Sequence, residues 1–162
     1  MTESFKHFIE NFQSIEPLSN FDIIDICKKL KIQNFKGVYM RNEILGKASK
    51  NECLILNTDH SSNGGTHWTC LFVRGNTCFY FDSYGFPPPL EVEKYCHDVK
   101  NGHYSSFKIQ ELNGNPTELG TSSLAEKLDR VGCGHYCVYV LYKLYSASNF
   151  YDILDELFRY KK

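Results

Sequence analysis

The segment from His67 to Asp82 constrains the fold of this chain more than any other. A run from His67 to Val73, rich in aromatic and aliphatic residues, is followed by Gly75-Asn76 and a second run, Thr77-Cys78-Phe79-Tyr80-Phe81. Two such runs around a glycine and an asparagine specify a β-hairpin with a two-residue turn, here a reversed form of the usual Asn-Gly pair. Antiparallel pairing brings the start of the first strand and the end of the second to one edge. His67 and Asp82 are therefore expected side by side.

The remaining segments supply more strands and the helices that cover them. Helices are predicted over Glu3 to Phe12 and over Asn20 to Leu30, the second opened by Ser19 and Asp22 as a variant capping box, with Phe21, Ile23, Ile24, Cys27 and Leu30 as its apolar face. Strands are predicted at Gly37 to Met40, Cys53 to Asn57 and Ser106 to Leu112. Pro87-Pro88-Pro89 ends the hairpin strand and starts a helix at about Leu90 to Asp98, since proline suits a first helical turn and cannot continue a ladder. Residues 113–131, with Asn113-Gly114-Asn115-Pro116, Gly120 and Ser122-Ser123, read as an exposed, inserted loop with one helical turn near Leu124 to Leu128. Cys133 begins an apolar helix through Val138, Val140, Leu141 and Leu144. Asn149 caps a last helix with Phe150, Ile153, Leu154, Leu157 and Phe158 on one side. The expectation is an α+β fold: one domain over 1–162, a helical part over 1–34, and a small mixed sheet flanked by helices. A length of 162 residues suits one domain with a proper core.

Seven cysteines are an odd number, and Met1 to His7 are polar and charged, unlike a signal peptide, so an intracellular, reducing setting is expected. Cys27, Cys53, Cys70, Cys78 and Cys137 sit in apolar segments and read as core filler. Cys133, His135 and Cys137 lack the second paired cluster that a structural zinc site needs. No metal or other cofactor is expected. A formal charge of −1 offers no broad footprint for nucleic acid, and no apolar run reaches membrane-spanning length.

Cys133 lies between glycines at the predicted start of a buried helix. The free N–H groups and the positive end of the helix dipole favour a thiolate there, and the same N–H groups suit a tetrahedral oxyanion. A thiol nucleophile needs a base within hydrogen-bond reach and a third group to hold the base. His67 and Asp82, brought together by the hairpin, fit those roles. The order His, Asp, Cys is the reverse of the papain arrangement, which argues for a different scaffold carrying similar chemistry.

Gly65-Thr66-His67-Trp68, Tyr80-Phe81-Asp82-Ser83-Tyr84-Gly85 and Cys133-Gly134-His135-Tyr136-Cys137 together resemble the signature of the adenovirus-type cysteine proteases, whose clan includes the SUMO and ubiquitin-like deconjugases. Phe35 to Glu43 and Phe86-Pro87-Pro88-Pro89 bring the likeness nearest to the maturation proteases of virophages and Polinton or adintovirus-type elements, over roughly Leu18 to Leu144. The resemblance implies His67 as general base, Asp82 as its orienting group and Cys133 as nucleophile. It also implies a glutamine donating to the oxyanion. Gln110 is the only glutamine between Asp82 and Cys133, at the end of a predicted strand, whereas Glu126, seven residues before the cysteine, is a carboxylate that would repel an oxyanion.

Trp68 is expected to flank the base and, with Cys133, to line a narrow substrate groove. The function implied is a viral or virus-derived endopeptidase that cleaves capsid precursors during virion maturation, in the virion or the host cytoplasm or nucleus. A deconjugase acting on a ubiquitin-like modifier is the enzymatic alternative. A catalytically dead peptide-binding module is the other. The family includes a member stimulated by DNA and a peptide; the charge here gives no support for DNA, and the sequence is silent on a peptide.

Overall fold

The computed structural model describes residues 4–59, 67–105, 108–110 and 123–160, in an α+β arrangement. Strands β1 (Phe35–Met40), β2 (Asn51–Asn57), β3 (Trp68–Arg74), β4 (Thr77–Phe81) and β5 (Asn101–Tyr104) form one sheet in that spatial order. β1 is parallel to β2 and β5 to β4, whereas β3 is antiparallel to both of its neighbours, so the sheet is mixed. Around it lie helices α1 (Phe5–Glu10), α2 (Asn20–Lys29), α3 (Leu90–Tyr95), α4 (Leu124–Val131), α5 (Cys133–Tyr145) and α6 (Phe150–Tyr160). No helix of the described residues is long and apolar enough to cross a membrane.

Alternation along the strands divides the core in two. Cys53, Ile55, Cys70, Phe72 and Phe81 pack with α5, α6 and the N-terminal helices. Leu54, Leu56, Leu71, Val73, Cys78 and Tyr80 pack with Val92 and Tyr95 of α3. Cover on both faces explains why β2 and β3 read as nearly unbroken apolar runs. The hairpin forms as its turn residues require, with Cys70 opposite Phe81 and Arg74 opposite Thr77, and with Gly75 at φ 61°. Ser19 and Asp22 form the capping box, and Asn149 Oδ1 accepts the N–H groups of Tyr151 and Asp152 at the start of α6.

Several expectations are corrected. The fifth strand is Asn101–Tyr104, not Ser106 to Leu112; among the latter residues 108–110 are not strand, and 106–107 and 111–112 lie outside the described residues. Its polar sequence carries little strand signal. Pairing with β4 makes it a strand, and Gly102 leaves room for the Tyr104 hydroxyl, which a Cβ would meet at 2.6 Å. The single turn expected near Leu124 is the whole of α4, capped by Ser123, whose hydroxyl accepts the Glu126 N–H. Residues 113–122 of the expected loop lie outside the described residues. The first helix is shorter than predicted at both ends, and α3 stops at Tyr95. In α2 only Ile23 and Cys27 are buried, while Phe21 is 76% exposed, so the apolar face is narrower than the periodicity implied.

Candidate active site

His67 precedes β3, and its carbonyl accepts the Thr58 N–H at 3.0 Å, which ties it to the end of β2. Asp82 follows β4 at the same edge. Its backbone is held by Ser105, whose hydroxyl accepts the Asp82 N–H at 2.9 Å and donates to the Asp82 carbonyl at 3.0 Å. The chain then turns: Gly85, at φ 79°, donates its N–H to the Asp82 carbonyl, and the Tyr84 N–H reaches Asp82 Oδ1 at 2.8 Å. An aspartate that bonds its own backbone two residues on builds such a turn and fixes its carboxylate at once. The same Oδ1 lies 2.7 Å from His67 Nε2. His67 and Asp82 are 7% and 2% exposed, so this pair is shielded from water.

The Tyr84 ring stacks on the His67 imidazole, centroids 3.9 Å apart and planes 10° apart. That geometry covers one face of the ring and offers π-electron density to a cation. Burial by itself lowers the pKa of His67, but the carboxylate of Asp82 and the thiol of Cys133 outweigh it and lift the pKa from 6.5 to about 9. The imidazolium is thus the favoured form at neutral pH. Nε2 is taken by Asp82, and Nδ1 is buried without a hydrogen-bond partner among the described residues. Nδ1 is therefore the nitrogen left to face Cys133, whose thiol acts on the ring.

Cys133 is the first residue of α5, where the leading N–H groups have no helical partner. Packing leaves little room beside it for anything larger than glycine. A Cβ at Gly132 would lie 2.5 Å from the Leu128 carbonyl oxygen at the junction with α4, and one at Gly134 would lie 3.2 Å from both Leu18 and Trp68. Trp68 is fixed there, its indole N–H donating to the Leu18 carbonyl at 2.9 Å. Cys133, Trp68, Tyr84, Leu18 and Met40 line a groove of about 550 Å³ that also receives the ends of α2 and α4.

Gln110 is fully buried, and it does not end a strand. The Ile109 and Gln110 N–H groups both donate to the Ser83 carbonyl, at 2.8 and 2.9 Å, so this backbone is spent on the Asp82 turn rather than on a ladder. The Ser83 hydroxyl donates to Gln110 Oε1 at 2.6 Å, while Gln110 Nε2 is buried without a partner among the described residues. Glu126 is exposed in the first turn of α4.

No family model matches the chain. Two proteins of African swine fever virus align with it: a cysteine protease of the Tick/Malawi isolate and a protein of the Pig/Kenya isolate named as a SUMO-1 cysteine protease. Each is 28% identical over 137 residues, covering 77% of this chain and 48% of the viral protein. The chain thus spans about half the length of these relatives. Its fold is similar to that of the African swine fever virus protease in its crystal structure, with a TM-score of 0.57 and 16% identity over 91% of this chain and 67% of that one. The mixed sheet flanked by helices is the fold the two share.

Sequence reasoning named His67, Asp82, Cys133, Trp68 and Gln110 and missed the residues that hold them. Tyr84, Ser83 and Ser105 orient Asp82 and Gln110, and Leu18 positions Trp68. The signal for Tyr84 was available, because Asp-Ser-Tyr-Gly is a turn in which the aspartate bonds the backbone two residues on. Nothing local marks Ser105 or Leu18, which act across 23 and 50 residues.

Proposed function

We propose that the chain is a viral cysteine endopeptidase in which Cys133 attacks the scissile carbonyl, His67 moves the proton and Asp82 holds His67. The observation that carries this is the buried His67 Nε2 to Asp82 Oδ1 contact of 2.7 Å, with the Cys133 thiol acting on the same ring. His67 is poised as the imidazolium beside the Cys133 thiol. Attack forms a tetrahedral intermediate, His67 protonates the leaving amine, and water then releases the acyl group from the thioester. The oxyanion is held by the N–H groups at the start of α5 and by Gln110 Nε2, whose lack of a partner among the described residues and whose Oε1 anchor on Ser83 support this role. Trp68 and Leu18 form the groove wall that receives an extended, small-residue segment of substrate.

The substrates we favour are capsid precursors cut during virion maturation, in keeping with the likeness of the flanking motifs to virophage and Polinton-type maturation proteases. A second reading is favoured by one specific finding, the SUMO-1 cysteine protease name of a relative. In that reading the groove takes the C-terminal tail of a ubiquitin-like modifier. Incubation with an electrophilic SUMO-tail probe, beside digestion of coexpressed capsid precursors, separates the two, with Cys133→Ala as control in both arms. Cleavage of precursors without capture of the probe is the expected result. Capture without cleavage moves the assignment to deconjugation, and neither activity from a folded chain refutes the endopeptidase.

A further inference from the structure

The molecule also holds a pair of thiols that share a cleft remote from the groove. Cys78 lies in β4 and points to the α3 face of the sheet, where it is 4% exposed within the cluster of Leu71, Val73, Tyr80, Val92 and Tyr95. Cys96 is the C-cap of α3, half-buried against that cluster. Both line one cleft of about 320 Å³ between α3 and the β4–β5 edge, together with His97 and Lys100. All seven cysteines of the chain are free, and here two of them line one opening to solvent.

We propose that Cys78 and Cys96 are a reversible disulfide site, closed by a two-electron oxidant of the peroxide class and reopened by a dithiol. In the first step a thiolate attacks the peroxide, forming a sulfur–oxygen bond, breaking the oxygen–oxygen bond and leaving a sulfenic acid and hydroxide. The second thiolate displaces that oxygen, so the sulfur–sulfur bond forms, the sulfur–oxygen bond breaks and hydroxide leaves; the protons given up by the two thiols turn both hydroxides into water. Two thiols and one hydrogen peroxide thus give one disulfide and two waters. The sulfurs act on one another: the S–H of Cys96 holds Cys78 below the usual thiol range, while its partner and burial hold Cys96 above it.

Location gives the bond its consequence. The pair joins β4, which Asp82 follows, to α3, which follows the Phe86 to Pro89 segment, and Phe86, Pro87 and Pro89 line a cleft with His67 and Asp82. Closing it ties the backing of the histidine and aspartate from the side of the sheet opposite α5, without using Cys133. The inference is independent of the proposed proteolysis, because it rests on no hydrolytic step.

The test uses the full chain carrying Cys133→Ala, which removes the competing groove thiol. Treatment with stoichiometric hydrogen peroxide, followed by non-reducing peptide mapping, should recover the Cys78 and Cys96 peptides as one linked species, lighter by two hydrogen atoms and separated by dithiothreitol. Cys96→Ser, a change at a half-buried cap that leaves the core intact, should abolish the link. Phenylarsine oxide should bind the reduced chain with one-to-one stoichiometry and block the oxidation. The linked form should unfold roughly 5–10 °C higher than the reduced form. Oxidation of single cysteines to sulfinic acid without linkage, or linkage of other pairs, overturns the proposal.

Discussion

His67 and His135 are both buried beside the start of α5, and the protein treats them in opposite ways. His67 faces the carboxylate of Asp82 and the Cys133 thiol, and its pKa is lifted to about 9. His135, two residues after Cys133, is fully buried against the ring of Phe12, with neither ring nitrogen partnered among the described residues. Burial pulls its pKa down to about 4, and the charge of Asp22 recovers little of that. Desolvation penalises the charged form in both places. A carboxylate within hydrogen-bond reach decides which histidine can hold a proton, and so which can serve as acid and base at neutral pH.

The largest effect should come from breaking the His67 side. His67→Ala should lower peptide hydrolysis by about a thousandfold or more, and Cys133→Ala should abolish it, with little change in Tm because the Cys133 thiol is only partly buried. Single-turnover assays beside thermal melts would show this. A histidine variant that keeps wild-type turnover is incompatible with the proposed mechanism. Cys137→Ala, one turn along α5 and fully buried, should behave in reverse, costing about 1 kcal/mol of stability while activity is kept.

Next in size is Gln110→Ala, expected to lower turnover about a hundredfold, or about 3 kcal/mol in the transition state, with KM nearly unchanged. If KM rises and kcat does not fall, Gln110 acts on the groove rather than on the oxyanion. Asp82→Asn should hurt less than His67→Ala, since an amide oxygen can still accept from Nε2 and from the Tyr84 N–H. Comparing the two variants on one substrate sharpens how much of the carboxylate's role is charge and how much is orientation.

The pH dependence of stability separates the two histidines directly. His67 is lifted in the folded state, so the stability it contributes is full below pH 6.5 and is lost as the pH rises toward about 9. His135 is depressed, so its contribution is present above pH 6.5 and is lost as the pH falls toward about 4. Urea unfolding across that range should show a shallower alkaline decline in His67→Gln and a shallower acid decline in His135→Leu, each relative to the wild type. Equal slopes in wild type and variant would leave the comparison without physical content. The smallest effect is His135→Leu at neutral pH, where exchanging unpartnered buried nitrogens for apolar atoms should leave hydrolysis unchanged and stability equal or higher by about 1 kcal/mol.

How much of this was legible beforehand follows from how local each signal is. The hairpin and its polar ends, the capping box at Ser19, the Asn149 cap and the helix starting at Cys133 are written in neighbouring residues, and all of them form. The placement of His67 against Asp82 followed from hairpin register, because strand pairing converts sequence order into a shared edge. The fifth strand was misplaced because Asn101–Tyr104 has a mostly exposed, polar pattern, and only the free edge of β4 made it a strand. The exposure of Phe21 escaped periodicity for a related reason: spacing shows which residues share a helix face, but not how much of that face another element covers.

The sequence by itself determined the chemical parts of this protein: a thiol at a helix start, an imidazole and a carboxylate at the two ends of one hairpin, and apolar segments sufficient for a two-faced core. Only the tertiary structure decided their environments. It stacked Tyr84 on His67, tied Gln110 to the turn through Ser83, set Leu18 against Trp68 and Gly134, and left both His135 ring nitrogens without a hydrogen-bond partner among the described residues. Residue types and hydrogen-bonding turns are properties of a few consecutive residues. The free energy of a charge depends instead on every group that packing brings within a few ångströms, wherever in the chain it originates.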